Sequence, residues 1–211
     1  MNKLTSLFAF ILIFAFSVTN NVKAQTVKDI FSDETPVTYF GVDFSNAKFY
    51  GDPGTVDGVE MVGLLKKIND LIIKEYEKKY NIALALKRNT VNLDISLTDK
   101  LNAGISAGKF ITSNPGDINK LDESAIKKIV AKYKTSGKGI GMVFIVDNMD
   151  KPKNETTAWV TFFSLSSKKV ILSEKMSGKA AGFGFRNFWT RPIYDMIKDI
   201  QMTYSSKWST K

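Results

Sequence analysis

Asp43, Asp147 and Asp150 are the side chains whose type and placement could do chemistry in this sequence. Asp147 and Asp150 stand in Val146-Asp-Asn-Met-Asp-Lys151, just past an apolar run that reads as the central strand of a sheet. Ligands of open α/β sheets gather outside the carboxyl ends of the strands. If the first strand runs parallel to the central one, Asp43 reaches the same edge. Three carboxylates there could hold a hard cation through oxygen ligands, or work as a general acid and base. A carboxylate-based hydrolase, with or without metal assistance, is therefore one reading. The other is a solvated loop whose acids keep it open, and Asp147-Asn-Met-Asp150 does not match an EF-hand. The loop reading is preferred, so no catalytic residue, metal site or cofactor is assigned, and the protein is expected not to be an enzyme.

Absences narrow the chemistry further. The chain has no histidine and no cysteine, which excludes a Ser-His-Asp triad, thiolate chemistry and His or Cys metal ligands. Ser-x-x-Lys occurs at Ser45/Lys48, Ser124/Lys127 and Ser166/Lys169. A penicillin-recognising enzyme also needs Ser-Asp-Asn and Lys-Thr-Gly; neither is present, and Lys134-Thr-Ser-Gly137 has a residue too many. Gly51-Asp-Pro-Gly54 and Asp57-Gly58 precede a helix, but Asp52, Asp57 and Glu60 would repel a phosphate, so Asp57 and Glu60 read as charges suited to a helix start.

The segment Gly178-Lys-Ala-Ala-Gly-Phe-Gly-Phe-Arg-Asn-Phe-Trp189 is the most unusual in the chain. Gly182-x-Gly184 is half of a dinucleotide fingerprint, but Asn187 replaces the third glycine and no strand follows. Arg186, Asn187 and Trp189 could instead form a recognition surface, since arginine and aromatic anchors dominate such surfaces. Phe183, Phe185 and Phe188 are expected to fill the core beneath the sheet. Pro192 is expected to set the start of the last helix, with Thr190 as its cap.

The elements that would position these residues follow from periodicity. Val37–Phe44 alternates and reads as a strand. Met61, Leu64, Leu65, Ile68, Leu71, Ile72, Tyr76 and Tyr80 recur at helical spacing. Val91, Leu93, Ile95 and Leu97 alternate with polar residues and predict a half-buried strand. Asp122 or Ser124 could cap a second helix carrying Ile126, Ile129, Val130 and Tyr133. Gly139–Val146 is apolar on both faces, as a central strand must be. Residues 158–163 and 170–173 predict a hairpin, followed by a helix with Ile193, Ile197, Ile200 and Trp208 on its apolar side. The expected fold is α/β: a single mixed sheet packed against about three helices, in the order β-α-β-α-β-β-β-α.

Phe162-Phe-Ser-Leu-Ser-Ser-Lys-Lys-Val-Ile-Leu-Ser173 followed by Gly178-Lys-Ala-Ala-Gly-Phe-Gly184 resembles the hairpin and glycine-rich exit of small α/β envelope domains. These are the domains typified by the TolB N-terminal domain, CsgG and LpoB. The resemblance covers the last third of the chain in motif and the rest in element order. It implies an adaptor rather than an enzyme. The chain departs from CsgG and LpoB in lacking a lipid-bearing cysteine.

Met1-Asn-Lys3, the apolar stretch Leu7–Val18 and the exit Val22-Lys23-Ala24 have the three parts of a secretory signal, with cleavage expected after Ala24. The apolar stretch is shorter than the roughly 20 residues that span a bilayer. The expected organisation is a signal peptide over 1–24, a flexible lead-in over 25–36 and one domain over 37–208. The mature form should be periplasmic or secreted and without a transmembrane segment. Losing Lys3 and Lys23 lowers the formal charge from +9 to +7. The only arginines are Arg88, Arg186 and Arg191, a poor endowment for reading nucleic acid. The expected function is thus a non-enzymatic binding or adaptor domain of the cell envelope, with a protein or glycan partner. A weak attraction of its lysines to anionic surfaces is a second alternative.

Overall fold

The apolar run that begins at Ile140 becomes the spine of the molecule. In the computed structural model, which describes residues 24–211, strand β5 (Ile140–Asp150) is buried at every position. Its two edges explain why. One pairs in parallel with β1 (Val37–Asp43) and then, further along, with β2 (Lys48–Tyr50). The other pairs antiparallel with β6 (Glu155–Ser164), which pairs with β7 (Val170–Lys179). Two short strands, β3 (Asn92–Leu93) and β4 (Ile111–Thr112), extend the parallel side beyond β1 and β2. Among the described residues the result is a seven-stranded sheet, mixed as the element order predicts but with two strands, β2 and β4, beyond the five expected. The expected signal peptide lies outside the described residues.

Among the described residues three helices of nine residues or more cover the sheet: α1 (Gly58–Lys74), α5 (Glu123–Ala131) and α6 (Phe185–Asp199). Short helices α2 (Ile82–Ala85), α3 (Ser96–Asn102) and α4 (Ala107–Phe110) fill the connections, and α7 (Ser205–Ser209) prolongs α6 through a π-helical stretch over Ile200–Tyr204. Asp57 caps α1 by accepting from the backbone N–H groups of Val59 and Glu60, and Asp122 caps α5 through Ala125. The α1 and α6 stripes meet Met142, Phe144 and Val146 in the larger core. On the opposite face Ile126 and Val130 of α5 meet Val143, Ile145 and Phe163. Among the described residues no helix is long and apolar enough to cross a membrane.

Two bulges decide where polar groups point. In β5 the register with β6 shifts between Val146 and Asn148. An extra residue reverses the alternation of faces, which returns Met149 to the larger core. Against β5, β1 has its own shift between Tyr39 and Val42. Gly41 sits in this bulge at φ +80°, and a Cβ there would lie 2.8 Å from Asn69 Oδ1.

Three sequence expectations are corrected here. The alternation over 91–97 yields only the two residues of β3; Asp94 accepts from the Ser96 N–H at 3.0 Å, and the chain turns into α3. Thr98 and Asn102, one helical turn apart, are the buried residues of α3, and Leu97 and Leu101 pack half-buried beside them, so the deepest part of this helix face is polar and invisible to an apolar pattern. Next, the segment over 25–36 is not a loose lead-in. Val27–Phe31 forms a 3₁₀ turn with Ile30 fully buried. The Arg88 guanidinium donates to the carbonyls of Ile30 at 2.9 Å and Thr35 at 2.6 Å, tying the segment down. Finally, α6 begins at Phe185 rather than at Pro192, with Gly184 as its N-cap.

Candidate functional site

The three aspartates do not form a site. The turn expected after Val146 comes only beyond Asp150, so Asp147 and Asp150 lie within the central strand, each 2% exposed, and Asp43 is fully buried. Each has its own partners. Asp43 accepts from the Tyr133 hydroxyl at 2.6 Å and from the Ser45 N–H at 2.8 Å. Asp147 Oδ1 accepts from the N–H groups of Lys120 and Leu121 at 3.1 and 3.3 Å, while Asn148 accepts from Asn119 at 3.3 Å. The β5 bulge thus aims two side chains at the loop that leads into α5. Lys175 Nζ lies 3.1 Å from Asp147 Oδ2 but off the hydrogen-bonding direction, so that oxygen has a counter-charge without a directed bond. Asp150 accepts from the Lys153 N–H and pairs with its ammonium at 3.3 Å. Among the described residues no three His, Cys, Asp or Glu side chains are grouped to hold a metal ion. The hydrolase arrangement is therefore not assembled, and these acids hold loops and turns in place.

Burial, followed by the neighbouring Asp43 charge, pushes the Tyr133 hydroxyl well above its ordinary 10.0. Burial raises Tyr39 in the same direction. A pKa raised by folding means that the folded state keeps the proton longer than the unfolded chain does. The stability this represents is complete below pH 10.0 and is lost at higher pH, where only the unfolded chain ionises. Each such tyrosine should steepen the alkaline loss by up to about 1.4 kcal/mol per pH unit. Urea midpoints followed from about pH 9 to about pH 11 check this, and Tyr133→Phe should flatten the slope by one tyrosine. An unchanged slope in that variant would show that the hydroxyl ionises freely in the fold.

What the structure does bring together is a groove between α1 and the start of α6. It consists of three adjoining hollows of about 550, 350 and 260 Å³, and Arg186 lines all of them. Gly182 at φ +115° and Gly184 at φ +75° set the path of the chain into α6. Phe183 between them is thrust outward and is 93% exposed. Arg186 and Asn187 follow on the exposed first turn, with the guanidinium donating to Asn187 Oδ1 at 3.1 and 3.2 Å. Leu71 and Tyr194 supply apolar wall.

The expected recognition triplet is split by this geometry. Arg186 and Asn187 reach the surface together, as the sequence reading expects. Trp189 does not. It is 2% exposed and packs edge-on against Phe49 and Phe188, at centroid distances of 5.6 and 5.2 Å. The phenylalanines divide as well: Phe185 and Phe188 are half-buried against the core, whereas Phe183 stands in solvent. The cause is the earlier start of α6, which rotates Trp189 onto the sheet. Thr190 is consequently an interior residue, donating to the Arg186 carbonyl at 2.5 Å rather than capping a helix. Pro192 lies inside α6, and its backbone packs closely on Gly178 of β7, where a Cβ would come within 2.4 Å of the Pro192 carbonyl oxygen. The exposure of Phe183 had one legible signal, its position between two glycines.

A scan against protein-family models and a search of curated proteins find no match to this chain. The site therefore rests on its own geometry. Exposed lysines occur on α1, on α5 at the opposite face of the sheet, and along β7, so they do not form one basic face.

Proposed function

We propose that this chain is a non-enzymatic binding or adaptor domain of the cell envelope, and that the groove between α1 and the start of α6 is its recognition face. The observation that carries this reading is the 93% exposure of Phe183 beside Arg186 and Asn187. Arginine and aromatic anchors dominate recognition surfaces, and here both stand on the rim of one groove. The groove is walled by α1 and α6, both seated in the main core, so a partner would meet a preformed surface and little ordering cost would be incurred. Export is supported by the Met1–Ala24 segment, and the likeness to TolB N-terminal, CsgG and LpoB domains favours an adaptor.

The test is a photo-crosslinking amino acid placed at Phe183 in cells that make the protein, with one at Lys127 on α5 as control. A specific adduct at position 183 absent at 127 is the expected result. Equal or absent labelling at both positions would remove the groove from consideration. Intact mass of protein recovered from the same envelope fraction should start at Gln25, and a mass retaining the apolar segment would sink the export argument.

A further inference from the structure

The groove carries more positive charge than its own acids neutralise. Lys67, Lys74 and Arg186 line it, and among the described residues none has a carboxylate within 4.0 Å. The acids at the same hollows are mostly engaged: Glu75 pairs with Lys79 at 2.8 Å and Asp70 with Lys66 at 2.8 Å. Only Glu60 lacks a cation there. The first turn of α6, which borders the groove, contains no acidic residue either. An anionic ligand would thus find three cations free of ion pairs, with Glu60 as the one unpaired carboxylate beside them.

Shape and apolar content narrow the ligand. From Glu60 to Glu75 the groove follows α1 for about 22 Å, which an extended chain spans in about seven residues. Lys67 and Lys74 are two turns apart on one face of α1, about 10.5 Å. Carboxylates on alternate residues of an extended peptide fall about 7 Å apart, within reach of two flexible lysine arms. Leu71 stands between these lysines and Phe183 faces the same hollow, so charged and apolar contacts alternate along the path. An anionic membrane would favour a flat or convex basic face, and the lysines of this chain are instead spread over both faces of the sheet.

We propose that the groove binds an extended acidic peptide segment of a partner protein, with its carboxylates on Lys67, Lys74 and Arg186 and an apolar side chain against Leu71 and Phe183. This rests on the groove being the recognition face. The probe is a short fluorescent peptide alternating glutamate and leucine, compared with its glutamine counterpart and with phosphatidylglycerol vesicles. The glutamate peptide should bind, the glutamine peptide should bind about tenfold more weakly or worse, and rising ionic strength should weaken binding further. Arg186→Glu and the pair Lys67→Glu/Lys74→Glu should each cost about tenfold in affinity. The charge-matched pair Lys127→Glu/Lys128→Glu on α5 should leave it within about twofold. Melting curves establish that these surface variants are folded. No binding of the glutamate peptide, equal binding of the glutamine peptide, equal loss in the α5 pair, or binding to vesicles alone would each overturn the proposal. If crosslinking at position 183 still succeeds in that event, the ligand class is wrong and the recognition face stands; if it fails too, both fall.

Discussion

Trp189→Ala is expected to lower folding stability by about 3–5 kcal/mol, the range for truncating a buried aromatic. Trp189 is held between the sheet and the first turns of α6, with Phe49, Phe185 and Phe188 around its ring at 5.2 to 6.3 Å. Those neighbours belong to rigid elements and cannot collapse to fill the space, which places the loss toward the upper end. Phe183→Ala, six positions earlier, should change stability by no more than about 0.5 kcal/mol, because its side chain touches little but water. Chemical denaturation of both variants is the measurement. The pair also separates fold from function: Phe183→Ala should reduce peptide binding while leaving the melt unchanged. Similar stability losses in the two variants would mean that Trp189 is not the anchor of α6.

Asn69→Leu is expected to cost about 3 kcal/mol despite adding apolar surface to a buried helix face. The Asn69 amide accepts from the Val42 N–H at 2.8 Å and donates to the Val42 carbonyl at 3.0 Å. It thereby completes the backbone of β1 where the bulge carries it out of register. Among the described residues no strand pairs with Val42 on that side, since β3 pairs only with Thr38 and Tyr39. Asn102 donates a second bond to the Val42 carbonyl at 2.9 Å and accepts from the Phe44 N–H at 2.8 Å, so the carbonyl keeps a partner in the variant. The Val42 N–H does not, and a buried orphan donor costs about 1–3 kcal/mol beyond the lost bonds. Asn69→Asp keeps the acceptor for the Val42 N–H but sets a carboxylate oxygen against the Val42 carbonyl in a fully buried place, so it should cost at least as much as the leucine variant. A leucine variant as stable as the parent would show that the bulge can close on itself.

The carboxylates and tyrosines show how far residue types alone can mislead. Asp147-Asn-Met-Asp150 has the composition of a loop and lies inside the most buried strand of the protein. Backbone donors in the 119–121 loop and the lysines at 153 and 175 make that burial possible. Those partners are distant in sequence or depend on a turn geometry that only the fold creates. Asn69, Thr98 and Asn102 were missed for the same reason: their partners are backbone groups of β1, exposed to them by a bulge that leaves no composition signal except Gly41.

Local periodicity decided the rest without help. The α/β class, the central strand from Ile140, the hairpin, the stripe of α1 as far as Ile72 and a cap for α5 at Asp122 or Ser124 follow from patterns that repeat over one or two turns or a few strand residues. The structure ends α1 at Lys74, before Tyr76 and Tyr80, and chooses Asp122. Burial of an apolar stripe is a large, non-directional gain, so any fold of this chain must satisfy it. The start of α6 was decided by tertiary packing. Proline preference argued for a helix beginning at Pro192, at a cost of about 3 kcal/mol for placing it inside. Seating Trp189 against Phe49 outweighs that local cost. The same decision turned Trp189 inward, left Arg186 and Asn187 on the first helical turn, and exposed Phe183 at the groove, because a helix that starts seven residues earlier presents different side chains to the sheet.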